Sequence, residues 1–139
     1  MITSSSNSQL KYIQQLAKKA RLRREDKVFL VEGSRMFYEA DKKQIQKAYF
    51  SQRFFETMED SSVLEGISWE VVENSVFDKM SSTMTPQGVL CVMKQPSYCL
   101  EDLLKKEAPL LVFLENLQDP GNMGTIFRTA EGAGADGII

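Results

Sequence analysis

Apolar residues along this chain switch period several times, and each switch marks an element. Across residues 7–20, Leu10, Ile13, Leu16 and Ala17 recur at helical spacing, which predicts an amphipathic helix. A basic link, residues 21–27, follows. Val28, Phe29, Leu30 and Val31 form a short apolar run, read as a buried strand ended by Glu32 and Gly33. Ser34 is placed to cap a helix over residues 35–43 with Met36, Phe37 and Ala40 facing inward. Strands are predicted over residues 45–50, 69–72 and 89–93, with short helices over 54–60 and 75–81 and a loop over 83–88. Alternating strands and helices favour an α/β layered domain with a largely parallel or mixed sheet, closing near Lys94.

Residues 95–98, with Pro96 and Ser97, interrupt the pattern and read as a linker. A short amphipathic helix over 100–106 sets Leu100, Leu103 and Leu104 on one side. After Pro109 comes a second buried strand, 110–114, then a loop over 115–121, a helix over 122–132, and a further strand from Gly137. This is a fresh βαβ unit. The expected division is 1–95, a linker with a short helix over 96–108, and 109–139, the last being incomplete.

Composition narrows the chemistry. With 42% apolar and 26% charged residues the chain resembles a soluble globular protein, and no stretch approaches the ~18 apolar residues that span a bilayer. The polar, Ser-rich start is not a secretory signal, so a cytoplasmic location is expected. Histidine is absent, which removes Ser-His and Cys-His nucleophiles and the commonest zinc ligand. Cys91 and Cys99 give no zinc pattern, and Cys91 sits in an apolar run where a buried thiol is the default. No metal is expected.

The net charge of −2 conceals a division. Residues 11–47 hold eleven Lys and Arg against five Asp and Glu, whereas residues 48–139 hold six against fourteen. Lys18, Lys19, Arg21, Arg23, Arg24 and Lys27 form the densest basic cluster. It fits contact with an anionic partner and equally fits a solvated helix surface.

Residues 132–137 satisfy G-x-G-x-x-G, the dinucleotide fingerprint. That motif requires glycines that follow a strand and open a helix. Here they close a helix and precede a strand, so they read as a cap and a tight turn, and a nucleotide-dependent oxidoreductase is disfavoured.

The segment Glu115-Asn116-Leu117-Gln118-Asp119-Pro120-Gly121-Asn122-Met123-Gly124-Thr125-Ile126-Phe127-Arg128-Thr129-Ala130 lies at the C-terminal edge of a predicted strand, where α/β sheets place ligands. Pro120 and Gly121 turn the chain, and Asn122 is placed to cap the helix. Gly124 leaves space beside Arg128, one turn on, and a helix start with Asn, Thr and Arg suits an anion or ribose phosphate. Arg128 paired with Glu131 on the surface is the competing reading. This segment closely resembles the first motif of the SpoU (TrmH-type) RNA methyltransferases of the SPOUT class, through Asp119, Pro120, Asn122, Gly124, Arg128, Thr129 and Ala130. Upstream, residues 29–33 with Arg35, and the loop 83–88 entering 89–92, resemble the substrate-binding domain often attached to these enzymes.

The resemblance implies a compact ribosomal-protein-like α/β/α domain followed by the first βαβ piece of a trefoil-knot domain. It implies methyl transfer from S-adenosylmethionine to a ribose 2′-hydroxyl, with RNA as partner (rRNA ahead of tRNA) and a homodimer formed through the knot. Asn122 and Arg128 would then sit at the reacting ribose. A guanidinium is rarely deprotonated in proteins, so Arg128 is expected to act as a fixed charge that stabilises an oxyanion, not as a base. The basic cluster would contact RNA phosphates. Glu32, Gly33 and Arg35, and Thr85, Gln87 and Gly88, would supply further RNA contacts, a structural turn being the alternative at each. The family's donor-binding residues lie in later motifs, so no donor-site residue is assigned here, and the fragment alone is expected to be inactive. The rival function is a non-catalytic, ribosomal-protein-like RNA-binding module, which would have no need of residues 119–130.

Overall fold

Along the strands, successive side chains go to opposite layers. Val28, Tyr49, Val72, Leu90 and Val92 enter one apolar cluster, and Phe29, Ala48, Phe50, Val89, Cys91 and Met93 enter another. This period of two is what a sheet buried on both faces requires. The computed structural model describes residues 1–81 and 83–139. These form two units, Met1–Pro96 and Ser97–Ile139.

In the first unit, α1 (Ser8–Lys18), α2 (Ala20–Glu25), β1 (Val28–Glu32), α3 (Ser34–Glu39), β2 (Ile45–Ser51), α4 (Gln52–Glu56), β3 (Trp69–Val72), α5 (Asn74–Met80) and β4 (Val89–Lys94) follow in order. The sheet order is β1-β4-β2-β3. β4 runs antiparallel to both β1 and β2, and only β2 and β3 are parallel, so the sheet is mixed. α1 and α5 cover one face through Leu10, Ile13, Leu16, Val76, Phe77 and Met80. Phe37 of α3, together with Phe54 and Phe55 of α4, covers the other. Phe77 and Phe50, both 0% exposed, anchor the two layers, each burial contributing roughly 1.5–3 kcal/mol. The Ser-rich start is built into this unit: Ile2 is buried and bridges Val72 at the sheet edge.

Several local expectations give way to neighbouring polar groups. Residues 20–25 form a helix where a link was expected. Arg21 pairs with Glu25 one turn on, and Arg23 reaches back to the Leu16 and Ala17 carbonyls. No apolar period announces a helix this short. Ser34 is the first residue of α3, not its cap; that place falls to Gly33, at φ +118°. α3 ends at Glu39, and Asp41 then caps a 3-10 turn, Lys42–Gln44. Only Phe37 of its expected inner face is fully buried, and Met36 is half exposed.

The second unit holds α6 (Leu100–Leu104), β5 (Leu111–Val112), α7 (Pro120–Gly132) and β6 (Gly137–Ile138). β5 and β6 pair in parallel on either side of α7, the predicted βαβ arrangement. β5 is shorter and less buried than its apolar run suggests. It has one partner strand, itself two residues long, and Leu110 and Phe113 stay exposed.

Candidate functional site

Backbone geometry brings two distant stretches of the first unit together. β1 ends where β4 begins, with Glu32 opposite Leu90, so the turn after β1 meets the loop before β4. The Gly33 amide donates to the Val89 carbonyl at 3.0 Å, and Gln87 Oε1 accepts the Ser34 amide at 3.1 Å. Glu32 Oε1 accepts the Thr83 hydroxyl at 2.7 Å and the Ser81 hydroxyl. The loop is therefore tied to β1 and α3 through side chains of both stretches. Gly88, at φ +83°, packs so closely that an added Cβ would stand 2.6 Å from Phe54 Cβ. Gly33, Gln87 and Gly88 thus have structural duties. Thr85 is exposed on the loop. Arg35 pairs with Glu39 at 2.9 Å, which holds its guanidinium pKa above the ordinary value.

The basic cluster divides by use. Arg23 is spent on the C-terminal carbonyls of α1, and Arg21 on Glu25. Tyr12 donates to Asp26 at 2.5 Å, tying α1 to the end of α2; burial and this bond push its phenol up to about 12. Lys27 sits at φ +53°, making the turn into β1. Lys18, Lys19, Arg24 and Lys27 are exposed and join none of the ion pairs among the described residues. Four of the six cations are available to a partner. Lys27 stands at the start of β1, and the Glu32–Gln87 cluster lies at its end.

In the second unit, Asp119 caps α7. Its Oδ1 accepts the Asn122 amide at 2.7 Å, and Pro120, lacking an N–H, occupies the first turn without loss. Asn122 is therefore inside the helix and not its cap, so its side-chain amide is not committed to capping. Arg128 turns back along the helix. Its Nη2 donates to Thr125 Oγ1 at 3.3 Å, and a Cβ added at Gly124 would lie 3.6 Å from Nη1. Thr125 Oγ1 in turn donates to the Gly121 carbonyl at 3.0 Å. No ion pair joins Arg128 to Glu131 among the described residues. The guanidinium thus lies toward the helix N-terminal end and adds its charge to the positive end of the dipole. Such an end can bind and stabilise an anion.

The three-layer unit matches a known family directly. Residues 7–91 fit the MRM3-like substrate binding domain. The chain belongs to that family. It is 33% identical over 117 residues to rRNA methyltransferase 3, mitochondrial, of Homo sapiens, a match covering 79% of this chain and 28% of that protein. It is 31% identical over 139 residues to the 23S rRNA (guanosine(2553)-2′-O)-methyltransferase RlmP of Bacillus subtilis, covering 99% of this chain and 53% of that protein. Among solved structures, an AdoMet-bound rRNA methyltransferase from Sinorhizobium meliloti superposes with a TM-score of 0.77 at 31% identity, over 99% of this chain and 52% of that one. The chain thus spans about half the length of these two bacterial relatives and less of the human one.

Within the MRM3-like domain, the matched residues contain α1, the basic cluster, the Glu32–Ser34 turn and the loop 83–88. The pairing of Glu32 with Ser81 and Thr83 was invisible in the sequence, because 49 to 51 positions separate the partners. Thr125 was legible in principle, standing three residues before Arg128 on one helix face. The reversed glycine pattern is a turn: α7 ends at Gly132, Gly134 takes φ +75°, and β6 follows at Gly137.

Proposed function

We propose that this chain carries the RNA-recognition domain, residues 1–95, a linker over 96–108, and the first part of the methyltransferase domain, 109–139, of an S-adenosylmethionine-dependent RNA ribose 2′-O-methyltransferase. The observation that carries the reading is α7. Its Asp119-capped start, its Asn122 amide and its back-folded Arg128 accompany a substrate-binding domain whose relatives are named as rRNA methyltransferases. rRNA is the favoured partner for the same reason.

Arg128 acts as a fixed charge. It holds the phosphate next to the target nucleotide and stabilises the developing 2′-oxyanion, while the Asn122 amide orients the ribose. Lys18, Lys19, Arg24 and Lys27 supply RNA affinity through phosphates, and the turn at Glu32 with the loop 83–88 supplies a second contact surface. S-adenosylmethionine supplies the methyl group when bound. The residues present do not fit a site for it. A hollow in the second unit is lined by Tyr98, Leu103, Asp136, Gly137 and Ile138, and both Asp136 oxygens are already taken, by Lys106 and the Leu110 amide. No helix among the described residues is long and apolar enough to cross a membrane. A cytoplasmic location and a homodimer through the knot belong to the same proposal.

The test is Arg128→Ala made in the complete enzyme, assayed for methyl transfer to rRNA and for RNA affinity. Turnover is expected to fall by about 10²–10³, the usual effect of removing one oxyanion donor, with RNA binding kept within a few-fold. Intact turnover with weakened binding would overturn the transition-state role.

A further inference from the structure

The C-terminal ends of α1 and α5 border an open groove of about 350 Å³, lined by Gln14, Ala17, Lys18, Lys79, Met80 and Ser81. Lys18 comes from the basic cluster. Lys79 is one of only six Lys and Arg after residue 47, and it lines the same groove as Lys18. Both lysines are exposed, and neither joins an ion pair among the described residues. None of these six lining residues carries a carboxylate. α1 contains no Asp or Glu, and the one acid of α5, Asp78, is held by Arg53 at 2.6 Å. Ser81, at one wall, donates its hydroxyl to Glu32. The groove therefore joins the basic cluster to the Glu32 turn and the loop 83–88.

We propose that this groove is a binding site for an RNA phosphate, with Lys18 and Lys79 as its two cationic contacts and the Gln14 amide as a neutral donor. The inference rests on the reading that this unit binds RNA, and it adds the path. One strand crosses from the α1–α2 cations, over the groove, to the turn after β1. Two helix C-termini, each with negative partial charge, meet at this groove. A phosphate held there needs both ammonium groups, so losing either leaves it facing carbonyl oxygens. The competing explanation is that each lysine only offsets its own helix dipole. That explanation predicts a loss of stability on removal and no change in how RNA binding responds to salt.

The experiment titrates the chain, Lys79→Ala, Lys79→Arg and a control, Lys43→Ala, with a labelled rRNA stem–loop over a series of salt concentrations, alongside thermal melts. Lys79→Ala is expected to weaken binding roughly 3–10-fold and to reduce the log K against log salt slope by about 0.7–0.9, the loss of one phosphate contact. Lys79→Arg should restore both, and Lys43→Ala should change neither. Unaltered affinity and slope in Lys79→Ala, with the parent chain binding RNA normally, would overturn the groove and leave the RNA reading standing. So would a lowered melting point with an unchanged slope. Failure of the parent chain to bind any RNA would remove the RNA reading and the groove with it.

Discussion

Arg128 and Thr125 are joined side chain to side chain, Nη2 donating to Oγ1 at 3.3 Å, while the same hydroxyl donates its proton to the Gly121 carbonyl at 3.0 Å. The threonine hydroxyl is thus a relay with its polarity set. Its proton is committed to the backbone, so a lone pair faces the guanidinium. Gly124 leaves the space through which the arginine turns back.

Thr125→Val keeps the shape of the side chain and removes the relay. Arg128 should then lose its fixed orientation, seen as a lower order parameter at its side-chain Nε in nitrogen relaxation. Thr125→Ser should retain that order. Equal order in the parent and Thr125→Val would show that the hydroxyl does not hold the arginine.

Gly88→Ala tests the close approach of the loop to α4. The new Cβ would stand 2.6 Å from Phe54 Cβ and 2.7 Å from Ser51 Oγ, on backbone at φ +83°. Strained backbone and overpacking together predict a loss of roughly 2–4 kcal/mol, read from urea unfolding. Gly66→Ala also has positive φ but meets nothing within 4 Å, so it should cost clearly less.

Arg23 and Lys19 separate stability from binding within one basic cluster. Arg23→Ala uncovers the α1 carbonyls of Leu16 and Ala17 and should cost about 1–2 kcal/mol in unfolding free energy. Lys19→Ala should leave stability unchanged and weaken RNA binding, with a shallower salt slope. A stability loss from Lys19→Ala equal to that from Arg23→Ala would refute the division.

Acid should loosen the second unit through Asp136. Its carboxylate accepts from Lys106 and from the Leu110 amide, and these bonds, the Lys106 one first, hold its pKa below the usual carboxylate value. A lowered folded-state pKa means that the contribution is fully present above the ordinary aspartate range. It is lost as pH falls through the lowered value. Carboxyl-carbon titration by NMR should place the Asp136 midpoint below that of an unpaired aspartate, and Leu110 amide exchange should gain an acid-induced opening over the same pH window. Asp136→Asn should abolish that window.

Much of the local architecture was readable from the chain alone, because it depends on neighbours a few residues apart. The strands expected at 28–31, 45–50, 69–72 and 89–93 all formed, with core side chains sorted by alternation into the two layers. The Leu10, Ile13 and Leu16 stripe became the buried face of α1. The reversed glycine pattern was correctly read as a turn because the order of helix and strand is itself local information. Where local readings of the caps missed, an earlier residue had taken the place. Asp119 took the cap assigned to Asn122, and Gly33, free to adopt φ +118°, took the place assigned to Ser34.

The amino-acid pattern by itself determined the elements, their faces and the residues of the Asp119 to Ala130 motif, since helical and strand periods act over a turn or two. Only the tertiary structure decided the strand order β1-β4-β2-β3, which seats Glu32 against Ser81 and Thr83, and Gly33 and Ser34 against the loop 83–88. It alone decided which cations of the basic cluster are spent on backbone carbonyls or ion pairs, and that Lys79 and Lys18 line one groove. The physical reason is the same in each case. These contacts close long loops, and their partners are chosen by how whole layers pack and not by any neighbour in the sequence.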